Sequence, residues 1–184
     1  MSKRIAYLAA AAFSALSLTS TFVAPARAEE KTVIVGGAAM YPSKNIIQNA
    51  VNSKDHTTLV AAVKAAGLVQ TLEGKGPFTV FAPTNTAFGK LPAGTVDTLV
   101  KPENKATLTK ILTYHVVPGK LEAADLKDGQ TLKTVEGEQL TVKREGKNVM
   151  IVDAKGGTSM VTIPNVNQSN GVIHVVDTVL MPAS

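Results

Sequence analysis

Near Leu121 the hydrophobic pattern of the chain changes period, and that change limits the fold more than any single motif does. Before it, apolar residues recur at helical spacing. Ile46, Ile47, Ala50 and Val51 follow Pro42-Ser43, and Leu59, Val60, Val63 and Ala66 run up to a Gly67 stop. Leu108, Ile111, Leu112 and His115 then fall at i, i+3, i+4 and i+7, behind a Pro102 suited to a first helical turn. Pro118 ends that helix. After Leu121 the runs are short and alternating: Thr131 to Val135, Gln139 to Lys143, Val149 to Val152, Met160 to Ile163, and Val172 to Leu180. Gly137, Gly146, Gly156-Gly157 and Asn170-Gly171 separate them at hairpin-like intervals. Helices first and strands second predict a single α+β domain. The last run, GVIHVVDTVL, is apolar on both faces, as in a central strand.

One strand interrupts the helical half. GKGPFTVF (Gly74 to Phe81) is a loop leading into a short buried strand. Ala82-Pro83-Thr84-Asn85 then turns the chain, with Thr84 or Asn85 placed to cap the short helix holding Phe88.

The beginning of the chain has another purpose. Met1-Ser2-Lys3-Arg4 is basic, Ile5 to Leu18 is apolar, and Ala26-Arg27-Ala28 is a small-residue cleavage site: the three parts of a secretory signal peptide over 1–28. Removing 28 of 184 residues leaves 156, the size of one domain with a sizeable core. Residues 29–42 (EEKTVIVGGAAM and two more) are expected to be a leader arm, and Ala183-Ser184 a short tail.

Charge follows the cleavage. The segment holds Lys3, Arg4 and Arg27, so 19 basic residues fall to 16 against 14 acidic ones, and the net charge falls from +5 to +2. A nearly balanced surface gives no reason to invoke nucleic acid. No cysteine is present, which excludes disulfides, a thiol nucleophile and a Cys-based metal site. The exported domain must stand on its core alone.

Residues that could carry chemistry are few. His56, His115 and His174 are 59 positions apart in turn, with no paired-His spacing for a metal. His56, beside Asp55, is expected at the surface. His115 and His174 lie in aliphatic runs, where a neutral imidazole can tie two backbone groups together. No serine stands in a nucleophile elbow, and EGKGPF (Glu73 to Phe78) lacks the spacing of a phosphate loop. Asp125 and Asp128 suit a solvated turn. No catalytic residue, cofactor or metal is expected from these residues.

Three segments together carry a resemblance. GPFTVFAPTNTAF (Gly76 to Phe88), ILTYHVVPGKL (Ile111 to Leu121) and SNGVIHVVDTVLMP (Ser169 to Pro182) are similar, in order and rough spacing, to the signature segments of the fasciclin (FAS1) domain. A single copy would cover Ser43 to Pro182. The resemblance implies a β-sandwich or wedge of short strands with helices packed against it, and extracellular adhesion to a protein or glycan rather than catalysis. It marks Phe78, Phe81, Pro83, Thr84, Asn85, Phe88, Asn170, Gly171, His174 and Asp177 as structural motif positions. Tyr114-His115, flanked by Ile111, Leu112 and Val116, falls on the segment associated with adhesion in animal members. Where some animal members carry an acidic recognition segment, this chain has Asn165-Val166, whose amide has no charge and is a poor metal ligand.

The expectation is therefore a secreted or periplasmic monomer, held at a surface by a protein or glycan partner, without membrane insertion after cleavage. One alternative is a periplasmic module for a small apolar or lipid-like ligand, needing a dry pocket lined by Phe78, Phe81 and Phe88. Another is a metal-dependent hydrolase built on His115 and His174.

Overall fold

A computed structural model of the protein describes residues 31–183; the signal-peptide expectation, residues 1–28, lies outside them. The central element is a seven-stranded sheet in the order β4-β3-β9-β8-β7-β6-β5. Its strands are β3 (Phe78–Pro83), β4 (Val116–Pro118), β5 (Thr131–Lys133), β6 (Gln139–Glu145), β7 (Asn148–Val152), β8 (Thr158–Gln168) and β9 (Gly171–Val176). Among the described residues only β3 and β9 pair in parallel, in register Phe81↔His174. The sheet bends round on itself, and the Val135 amide donates to the Val116 carbonyl (2.8 Å), linking the two end strands.

Two cores explain why β3 and β9 are apolar on both faces. Val80, Ala82, Ile173 and Val175 point to one, against the helices. Phe81, Val172 and Val176 face the other way; Phe81 and Val176 join Leu132, Leu140, Val142, Val149 and Ile151 inside the wedge of strands. β9 lies between β3 and β8, so the expectation of a central strand holds.

The helices are short: α1 (Ile46–Ala50), α2 (Thr57–Ala66), α3 (Val69–Glu73), α4 (Asn85–Gly89), α5 (Thr95–Leu99) and α6 (Lys105–Tyr114), with 3₁₀ turns before α2 and α6. α1 starts at a capping box in which Asn45 and Gln48 each bond the other's backbone amide. α2 ends at Gly67 in the left-handed conformation, φ 75°. Thr84 caps α4, accepting from the Ala87 amide, whereas Asn85 turns back to the start of α2 and accepts from the Thr58 amide.

Residues 31–40, expected as an arm without a partner, form a hairpin of β1 (Val33–Val35) and β2 (Ala38–Met40). Gly36 and Gly37 turn it with φ values of 57° and 77°, which suit glycine. Val35 and Met40 are buried in the helical core. The leader-arm expectation is corrected for these residues: two apolar triplets around a diglycine bury one face each rather than trail in solvent.

Candidate functional site

The three signature segments form one block. They supply β3 with α4, α6 with β4, and β9, and β4, β3 and β9 are adjacent strands. Asn170 fastens one end. Its side chain accepts from the Ile46 amide (3.0 Å) and donates to the carbonyls of Leu72 (2.7 Å) and Gly74 (2.8 Å). Gly171 follows because β3 passes so close that a Cβ there would overlap the Phe78 carbonyl. At the other end Asp177 accepts from the Met160 amide (2.8 Å) and pairs with Lys90 at 3.3 Å.

His115 terminates α6 with only 2 % of its surface exposed. Its Nδ1–H donates to the Ile111 carbonyl (2.8 Å), and its Nε2 accepts from the Leu180 amide (3.0 Å). One neutral tautomer satisfies both, and burial lowers the ring's pKa from 6.5 to about 4. Tyr114 is fully buried; its hydroxyl donates to the Gln139 carbonyl (3.1 Å) and accepts from the Ala154 amide (2.9 Å). Burial raises its pKa. The pair thus ties α6 to the loop after β9 and to the wedge of strands.

His174 is likewise enclosed. Its Nε2–H donates to the Leu121 carbonyl (2.8 Å), its Nδ1 accepts from the Asn165 amide (3.3 Å), and its ring stacks on Phe81 with centroids 5.7 Å apart. Burial lowers its pKa as well. Every nitrogen of His115 and His174 is committed to the backbone, so a metal would have to displace a buried hydrogen bond. Among the described residues no three His, Cys, Asp or Glu side chains cluster for a metal.

These positions correct the list of contact candidates. Ile111, Leu112, Tyr114, His115, Val116 and Val166 are all buried, so their side chains offer no surface to a macromolecular partner. Asn165 is half-buried in a left-handed conformation (φ 57°) at an irregular register of β8, and its side chain accepts from the Ala123 amide (2.7 Å). The dry pocket of three phenylalanines that the small-ligand alternative requires does not assemble. Phe81 lines a buried cavity of about 40 Å³, Phe88 borders a shallow surface groove, and Phe78 faces a third hollow.

His56, expected at the surface, is 3 % exposed. Its Nδ1 bonds the Ser53 hydroxyl at 2.9 Å. Its buried Nε2 makes no hydrogen bond of good geometry. Burial lowers the ring's pKa, against smaller opposing effects of the Ala82 carbonyl and Asp55. Gly36 of the hairpin sits directly on Ser53, leaving no room for a Cβ. The diglycine between VIV and AAM was the sequence signal for the hairpin that packs on this segment.

What remains open is the outer face of β5 to β8. Thr131, Lys133, Gln139, Thr141, Lys143, Met150, Val152, Thr158 and Met160 alternate with the buried row of the wedge, and none of the nine is buried. Met150 pairs across the strands with Met160, and Thr141 with Val152. Met160 is 41 % exposed.

The sequence profile of the Fasciclin domain matches residues 54–182. The chain belongs to the fasciclin domain family. Protein sll1483 of the cyanobacterium Synechocystis is 46% identical over 97% of this chain and 95% of its own length. The immunogenic protein MPB70 of Mycobacterium bovis is 35% identical, covering 95% of this chain and 96% of its own. The cell surface glycolipoprotein MPB83 of the same species is 39% identical over 80% of this chain and 64% of its own. Among solved structures, the FAS1 domain pair of the insect cell adhesion molecule Fasciclin I superposes with a TM-score of 0.68 at 19% identity. That match covers 77% of this chain and 52% of the solved one. The FAS1 fold expected from the signature segments is therefore correct, and the hairpin of β1 and β2 lies upstream of the residues that the family profile matches.

Proposed function

We propose that the protein is an exported, non-catalytic adhesion module that holds a surface by protein or glycan contacts, and that it works in the periplasm or outside the cell. The observation that carries this is the commitment of its chemistry-bearing side chains to structure. Tyr114, His115 and His174 spend their polar atoms on backbone groups, while a broad sheet face stays uncovered. Contact falls to that face, where Met150, Val152 and Met160 form an apolar centre edged by Thr141, Thr158, Lys133 and Lys143. Aromatic platforms for sugars are absent from it, so weak contacts multiplied by display on a surface fit better than a deep site. The descriptions of one relative, a cell surface glycolipoprotein, and of one structural neighbour, a cell adhesion molecule, support the same class.

The test is a flow-detachment assay. Beads carrying the folded protein are applied to cells, matrix proteins and glycans beside beads carrying an unrelated protein of equal charge. Selective, saturable retention on at least one surface is expected. Retention equal to the control on every surface would remove the proposal.

A further inference from the structure

Two methionines stand on the open sheet face where its pattern does not ask for them. Strands favour β-branched residues, and Thr131, Thr141, Val152 and Thr158 supply a row of them, in register across β5 to β8. The next row departs from that chemistry with Met150 and Met160, which lie directly opposite each other. Side chains paired in this way have Cβ atoms about 4.5–5.5 Å apart, so the two thioethers share one patch. Met160 is 41 % exposed and Met150 is half-buried. The other two described methionines face inward: Met40 is 3 % exposed, and Met181 packs against the helical core. The chain has no cysteine, so Met160 is the most exposed sulfur-bearing side chain among the described residues.

We propose that Met150 and Met160 form an oxidation site that switches the contact face off, with a peroxide as the oxidant. With hydrogen peroxide, a lone pair on each thioether sulfur attacks one peroxide oxygen. The O–O bond breaks as the S–O bond forms, and the displaced hydroxide leaves as water on taking up the remaining proton. Each sulfur loses two electrons and each peroxide gains two. The sulfoxide is polar and chiral where the thioether was apolar. A thioether is soft and unbranched, so it adapts to a partner's surface. A sulfoxide covered by the same partner without a hydrogen bond weakens each contact by about tenfold. Display of many copies multiplies that loss. The fold is spared, because Val149, Ile151 and Ser159, the buried neighbours of the pair along β7 and β8, face the other way. Sulfoxide reductases, one for each epimer, reverse the change. The effect on adhesion rests on the proposed function, whereas the order in which the sulfurs react does not.

Hydrogen peroxide titrated onto the folded protein at pH 7.5 tests this, with peptide mapping by mass spectrometry and flow detachment of beads read on the same samples. Met160 and Met150 are expected to gain one oxygen each before Met40 gains any. Protein oxidised at both should keep its far-UV circular dichroism and melting temperature, fall to control-level retention, and recover on treatment with the two reductases. Met150→Leu/Met160→Leu keeps the face apolar at similar volume, so it should be retained before and after peroxide. That variant still carries Met40 and Met181, so any loss acting through them would show in it. Oxidation of Met40 ahead of either outer-face methionine would overturn the site. Unchanged retention of the doubly oxidised protein, or an equal peroxide-induced loss in the folded leucine variant, would overturn the switch. Untreated protein held on no surface would remove the adhesion reading and the switch with it, and the order of oxidation would still decide the site.

Discussion

Acid should weaken this fasciclin fold well before its carboxylates protonate, and His115 sets the size of the effect. In the unfolded chain its imidazole titrates near 6.5; in the fold, burial moves it to about 4. Protonation would place a hydrogen on Nε2, directly against the Leu180 amide that now donates to it. The sign follows: between pH 4 and 6.5 the unfolded state binds more protons than the native one, so stability rises with pH. The His115 contribution is complete above about pH 6.5, falls as the solution is acidified, and is exhausted below about pH 4. A separation of about 2.5 units is worth about 3 kcal/mol at 1.36 kcal/mol per unit. The depressed pKa values of His56 and His174 add in the same direction. Against a typical domain stability of about 5–15 kcal/mol, that is a large fraction. The assay is urea unfolding from pH 7.5 to 4.5 at fixed ionic strength, followed by far-UV circular dichroism because the chain has no tryptophan. The midpoint should fall steadily through this range. His115→Gln should start less stable and show a shallower pH slope. A wild-type midpoint that does not change between pH 7 and 5 would refute the claim that these imidazoles are held neutral by burial.

Other outcomes follow from single contacts. Asn170→Ala removes partners from the Ile46 amide and the Leu72 and Gly74 carbonyls, and should cost about 3 kcal/mol in the same urea titration. Tyr114→Phe, which deletes only the hydroxyl between Gln139 and Ala154, should cost about 1–3 kcal/mol with no change in unfolding cooperativity. Val35→Ala should lower stability by about 1–3 kcal/mol, whereas Ile34→Ala on the solvent side of the hairpin should change it by less than about 0.5 kcal/mol. A chelator should leave the melting temperature unaltered.

How much was legible depended on how local the signal was. The period change near Leu121 announced helices before strands because one buried face imposes one period on each element. β9 was legible because residues 171–176 are apolar on both sides, which only a strand between two cores needs. The burial of His115 was signalled by its place on the Leu108-Ile111-Leu112 stripe. His56 gave no such signal. It stands between Asp55 and Thr57 at a helix start, a polar neighbourhood in sequence, and its burial comes from elements that pack on it from elsewhere in the chain. Nor could the sequence alone tell whether the three phenylalanines share one pocket. Phe78 and Phe81 are three apart on one strand and so face opposite sides of it, and Phe88 belongs to another element.

The central claim is that the Tyr114-His115 segment holds the fold while the outer face of β5 to β8 makes the contact. Flow detachment of beads carrying wild type, His115→Gln and Val152→Glu/Met160→Glu, each verified as folded at pH 7.5, tests it directly. The account predicts wild-type retention by His115→Gln and control-level retention by the outer-face variant. Retention lost in folded His115→Gln and kept by the outer-face variant would contradict it.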